Sequence, residues 1–183
     1  MEALVGVGIA MAFVGNSRPA SGSEHHMSHY FEVVGIMRNE PYFHHGIDVV
    51  YSAVFVQKLR EQILALDKPN REAAFDRAKW ESIIADVYDS AADGVIALQD
   101  KLGWYDNSRA DVYAQKWNEI KAVLAEAPSS DEMLAYLNSI GLDISEYKDT
   151  YKAEKLQNAM WFSKDLKDRY TVLWLYFSLF YRW

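Results

Sequence analysis

Apolar and polar positions recur with helical spacing along almost the whole chain. Residues 3–14, ALVGVGIAMAFV, are apolar on every side and predict a buried helix. The stretch GNSRPASG, with two glycines and a proline, breaks it. A second helix is predicted over residues 23–36. Ser23 is its N-cap or first-turn residue, and Glu24 lies in the first turn, where the helix dipole favours negative charge. RNEPYF is a short connection to a third helix over residues 44–66. There Val49, Val50, Ala53, Val54 and Val56 give way to QKLREQ, which predicts a buried start and a solvated end.

DKPN closes that helix, and two further helical stretches fill residues 71–104. Asp106 to Ser108 forms a turn and cap before the helix of residues 109–127. Ser129 or Ser130 caps the next, which ends at Gly141. Residues 146–177 give one or two final helices. No stretch alternates with the period of a strand, and there is no internal repeat or low-complexity tract. The expected architecture is an all-α helical array forming a single domain over residues 1–183.

Composition narrows the classes of function. Half of the residues are hydrophobic and 14% aromatic, which suits a packed core rather than disorder. The formal net charge is -7, and no basic stripe runs along any element, so nucleic acid is not an expected partner. The absence of cysteine excludes disulfides, thiolate metal sites and a cysteine nucleophile, and fits a cytoplasmic location. The apolar N-terminus carries Glu2 where a signal peptide needs positive charge. TVLWLYFSLFYRW is shorter than the roughly 20 residues that span a bilayer as a helix, so it predicts a buried terminal helix or a subunit contact, not membrane insertion.

The candidate chemistry lies in NSRPASGSEHHMSHYFE, which holds three of the five histidines. His25 and His29 are four residues apart and share one helix face, a spacing that suits divalent-metal chelation or a hydrogen-bonded structural pair. His44 and His45 begin the next helix, and a short hairpin allows His25 and His45 to meet. The helix start at SGSEH also offers free N–H groups to an anion, with Ser21, Ser23 and Arg18 as candidate phosphate contacts. Alternatively, Ser23 caps the helix, Gly22 permits a tight turn and Arg18 makes a structural ion pair.

GNSRPASGSEHHMSHYFE followed by HHGIDVVYS resembles the glycerol-1-phosphate dehydrogenases, of the iron-containing alcohol dehydrogenase and glycerol dehydrogenase superfamily, related in fold to dehydroquinate synthase. DLKDRYTVL near the end resembles the family's C-terminal helix, and the likeness runs from about residue 2 to 173. The resemblance implies an all-helical C-terminal domain that carries most of a metal site. His25 and His45 are the implied ligands, and His29 is near substrate and metal as an orienting or proton-relay group. His26 and His44 have no implied role and read as satisfied surface or structural histidines.

The implied metal is zinc, with nickel or iron as alternatives. The implied reaction interconverts dihydroxyacetone phosphate and sn-glycerol 1-phosphate with NAD(P)(H), in phospholipid biosynthesis. No glycine-rich coenzyme turn follows a strand anywhere in the chain. The resemblance therefore implies an NAD(P)-binding N-terminal domain and an aspartate ligand outside this chain, and a fragment that is inactive alone. A related glycerol or polyol dehydrogenase, and a stand-alone helical metal-binding or oligomerisation module, are the competing expectations. A homo-oligomer is compatible with either.

Overall fold

The computed structural model describes residues 1–70 and 72–183. Among them the fold is all-α, with no strand, in nine helices: α1 (Glu2–Val14), α2 (Ser23–Arg38), α3 (His45–Leu64), α4 (Arg77–Tyr88), α5 (Ala92–Leu102), α6 (Ala110–Leu124), α7 (Ser130–Ser139), α8 (Ile144–Phe162) and α9 (Val172–Phe180). No described helix is long and apolar enough to cross a membrane.

The helix caps follow local chemistry. Ser129 and Glu132 form a reciprocal capping box at α7, and Gly141, just beyond that helix, has φ 80°. Ser108 accepts the Ala110 N–H at the start of α6. Ser23 is the first residue of α2, with Gly22 as its N-cap.

Helix α3 is the hub and packs against α2, α6, α7, α8 and α9. Met27, Phe31 and Val34 of α2 meet Tyr51, Val54 and Ile63 of α3 in a core from which water is excluded. Burial of each such side chain is worth about 1.5–3 kcal/mol. The third helix does not run from a buried start to a solvated end: His45 and Gly46 are exposed at its start, and at its end Gln57, Leu59 and Ile63 are buried on one side while Glu61 and Gln62 are exposed on the other. Helix α8 is interrupted at Lys152, whose φ of 57° is not helical. Beside the break, Tyr151 stacks on Phe31 at 3.7 Å and donates to Asp48 at 2.8 Å.

The two apolar termini diverge. Helix α9 is buried as expected, with Leu173 and Leu179 fully covered. Helix α1 is not: none of its residues is buried, and Leu4 and Phe13 are 74% and 88% exposed. Its apolar residues point in all directions, and its main packing is against the 3₁₀ turn Arg18–Ala20 that follows it.

The connection between α2 and α3 positions the site. Asn39 takes a left-handed conformation (φ 52°) and closes α2. The chain then doubles back, so that His45 lies beside Ser28 and Glu32 rather than beside Arg38. Gly35 makes the return possible, since a Cβ there would lie 2.5 Å from the Tyr42 ring. Phe43 N–H donates to Tyr151 Oη at 3.1 Å and pins the strand-like return.

Candidate metal and anion site

The N-terminal turn of α2 is closed by its own sequence. The Glu24 carboxylate accepts the Gly22 N–H at 2.9 Å and faces His25 Nδ1 at 2.8 Å. A Cβ on Gly22 would lie 2.7 Å from that carboxylate, so a larger residue there would displace the Glu24 side chain from its present place. Burial opposes ionisation of Glu24, but the hydrogen bonds from His25 and the backbone outweigh it and hold the pKa down at about 2.

His25, His29 and Glu32 follow one stripe of α2, and His45 enters opposite them at the start of α3. The rings of His25 and His45 are 5.3 Å apart, those of His29 and His45 5.1 Å, and those of His25 and His29 6.5 Å. Glu32 spans the two helices: Oε1 is 2.8 Å from His45 Nδ1 and Oε2 is 3.2 Å from His29 Nδ1. All three imidazoles thus have Nδ1 against a carboxylate. With the proton on Nδ1, each keeps the Nε2 lone pair for a ligand.

One ligating atom each from His29, Glu32 and His45 lies within 4.8 Å of the others. Two imidazoles and a carboxylate match the donor preferences of zinc and similar divalent ions, so the residues fit the implied metal. Burial, reinforced by the charge of Lys167, lowers the pKa of His29 and favours the neutral, ligating form. Glu32 was absent from the sequence-derived candidates. The available signal was its spacing, three residues after His29 and seven after His25, which extends the same helix face.

The other two histidines differ from each other. His44 is exposed and caps nothing with its side chain. His26 is neither a surface residue nor a satisfied one. It is fully buried, neither ring nitrogen has a partner among the described residues, and desolvation pushes its pKa down to about 3. It feels the positive charges of Lys167 and Arg169.

The turn before α2 is held by the C-terminal segment. Lys167 Nζ donates to Ser21 Oγ at 3.3 Å. Arg169 donates to the Ser21 carbonyl at 3.0 Å and to Ser17 Oγ at 3.2 Å. Arg18 pairs with Asp168 at 3.1 Å on the surface, and Ser23 is buried. A cavity of about 520 Å³ opens beside this turn, with Ser21, Ser23, Arg18, Arg60 and Arg169 in its walls. Arg60, Lys167 and Arg169 were not sequence-derived candidates. They come from α3 and from residues about 146 positions downstream of Ser21, and no local pattern links them to the turn.

No family model matches the chain, and no solved structure matches it. Among curated proteins, it is 26% identical over 173 residues to the NAD(P)+ glycerol-1-phosphate dehydrogenase of Bacillus licheniformis, an alignment covering 94% of this chain and 32% of the relative. This chain resembles the glycerol-1-phosphate dehydrogenases. The enzyme of that name from Bacillus subtilis is 34% identical over 112 residues, covering 56% of this chain and 28% of the relative. That from Korarchaeum cryptofilum is 39% identical over 62 residues, covering 34% and 20%. The chain thus spans about a third or less of the length of the dehydrogenases it matches.

Proposed function

We propose that this chain forms the metal- and substrate-binding part of an NAD(P)-dependent sn-glycerol-1-phosphate dehydrogenase, acting on dihydroxyacetone phosphate and sn-glycerol 1-phosphate. The observation that carries the reading is the approach of the His25, His29 and His45 rings from two helices, with Glu32 against His29 and His45 and Glu24 against His25. The names of the relatives supply the reaction.

In this reading His25 and His45 hold the metal, zinc in the first instance, with His29 beside them. The metal, when bound, supplies Lewis-acid polarisation of the substrate carbonyl, and the nicotinamide coenzyme supplies or accepts the hydride. The coenzyme is proposed to be held mainly by residues outside this chain. Glu32 keeps the protons of His29 and His45 on Nδ1 and fixes both rings. Glu24 does the same for His25. Neutral His29 is then a candidate to orient the substrate hydroxyl or relay its proton. The substrate phosphate sits at the turn of Ser21 and Ser23, with Arg18 at its rim.

Zinc titration of the full chain by calorimetry tests the reading. Wild type is expected to bind, and His45→Ala and His25→Ala to weaken binding tenfold or more. Unchanged affinity in both variants would overturn the assignment.

A further inference from the structure

The backbone that carries His45 has no side-chain cap of its own. His45 is the first residue of α3, its N-cap His44 makes no side-chain cap bond, and residues 40–44 before it form no regular structure. This return segment is anchored at both ends by α8. Lys155 Nζ donates to the Glu40 carboxylate at 2.7 Å, and Tyr151 Oη accepts the Phe43 N–H at 3.1 Å. The Phe43 ring also lies against those of Tyr147 and Tyr151, with centroids 6.3 and 5.8 Å away.

Tyr151 does more than hold Phe43. Its hydroxyl donates to Asp48 Oδ2 at 2.8 Å, so one oxygen ties the residue two before His45 to the residue three after it. Its ring stacks on Phe31 at 3.7 Å with the planes 5° apart, and Phe31 immediately precedes Glu32 in α2. A single buried side chain of α8 therefore grips both histidine-bearing helices close to the site. The backbone is strained at the next residue. Lys152 has φ 57° and ψ 167° inside α8, a conformation that a non-glycine residue keeps only where its surroundings over-determine it.

We infer that Tyr151 is a positioning residue for His45, and that its hydroxyl, 108 residues downstream of Phe43, sets where that histidine stands against His25 and His29. The inference rests on the reading of His25, His29 and His45 as a metal site. The rings of His25 and His29 lie 5.3 and 5.1 Å from that of His45. Metal–ligand distances tolerate errors of only about 0.2 Å, so a small displacement of the return segment is felt at the ion. The hydroxyl is the part that matters. Without it the ring can still stack on Phe31, but Phe43 and Asp48 are no longer joined. A tyrosine that only filled the core would act through its ring.

Tyr151→Phe in the full chain tests this, with zinc affinity read by calorimetry and the imidazole nitrogen resonances by NMR. Zinc affinity is expected to weaken about threefold or more. In the zinc-free protein the His45 resonances should shift, and by more than those of His25, which Glu24 holds. Tyr147→Phe is the control. It removes a buried hydroxyl one turn earlier on α8, bonded to Ser52 at 2.9 Å, and should leave both readouts as in wild type. Unshifted His45 resonances in Tyr151→Phe, zinc affinity unchanged where wild type binds zinc, or equal changes in both variants overturn the inference. Should Tyr151→Phe fail to fold by circular dichroism, Lys155→Met, which frees Glu40 at the other anchor, takes its place. A shifted His45 resonance is again expected, and an unshifted one overturns the inference. The metal reading fails separately: if wild type does not bind zinc, that reading falls and the zinc-free His45 resonances alone decide the role of Tyr151.

Discussion

Helices α1 and α9 are the most apolar segments of the chain, and they have opposite fates. Helix α9 presents Trp174, Tyr176 and Phe177, rings long enough to reach partners on α3 and α8 and Trp104 just after α5. It also roofs the buried Lys164–Asp165 pair: the Lys164 ammonium lies 3.9 Å from the centre of the Phe177 ring and 4.6 Å from that of Trp174. Helix α1 is built, after Glu2, from Gly, Ala, Val, Leu, Ile and Met, and its one aromatic ring, Phe13, faces solvent. Apolarity alone therefore does not place a helix in a core. An asymmetric face with large side chains, and elements positioned to receive it, are needed as well.

The sharpest way to break this contrast is to remove equivalent volume from each helix. Leu179→Ala, at a fully buried position, should cost about 2–5 kcal/mol in denaturant unfolding. A loss below about 1 kcal/mol would mean that α9 is not part of the cooperative core.

A smaller effect is expected at Asp48, on the helix against which α9 packs. Burial raises its pKa from 3.8 to about 7, despite the hydrogen bond from Tyr151 and the charge of Lys155, and Glu32 adds to the rise. The folded state therefore binds the proton more tightly than the unfolded one, and stability declines as pH rises from about 4 to about 7. Asp48→Asn, which keeps an acceptor for Tyr151, should remove that decline. It should stabilise the protein by about 1–3 kcal/mol at pH 8 and leave it nearly unchanged at pH 4. Parallel stability–pH curves for the two proteins would contradict this.

The smallest effect belongs to α1. Leu4→Ala should shift stability by no more than about 0.5 kcal/mol in the same unfolding assay, since the side chain is 74% exposed. A loss comparable to that of Leu179→Ala would show that α1 is covered in solution.

The same contrast marks how far the sequence was legible. Helical class, most boundaries and the buried C-terminus follow from periodicity, caps and breakers. So does the meeting of His25, His29 and His45, because two of them share a helix face and the third begins the next helix. The exposure of α1 was not legible, since an apolar run carries no record of which neighbour receives it. Glu32 is not legible as a site residue because a carboxylate on a helix ordinarily faces water, and only the arrival of His45 gives it a second partner. Arg60 and Arg169 lie far from Ser21 in sequence, and His26 needed the packing of the Lys167 segment before its isolation could be recognised.

Glu32 has one more consequence, mechanical rather than chemical. Because its two oxygens contact one histidine on each helix, it fixes the axial register of α2 against α3. A slide of one helical turn, about 5.4 Å, would leave the apolar stripes able to repack but would carry His45 beyond its reach. The length of the return segment, residues 40–44, therefore acts as a ruler for the site: adding or removing a residue there would misalign the histidines while the rest of the bundle kept its form.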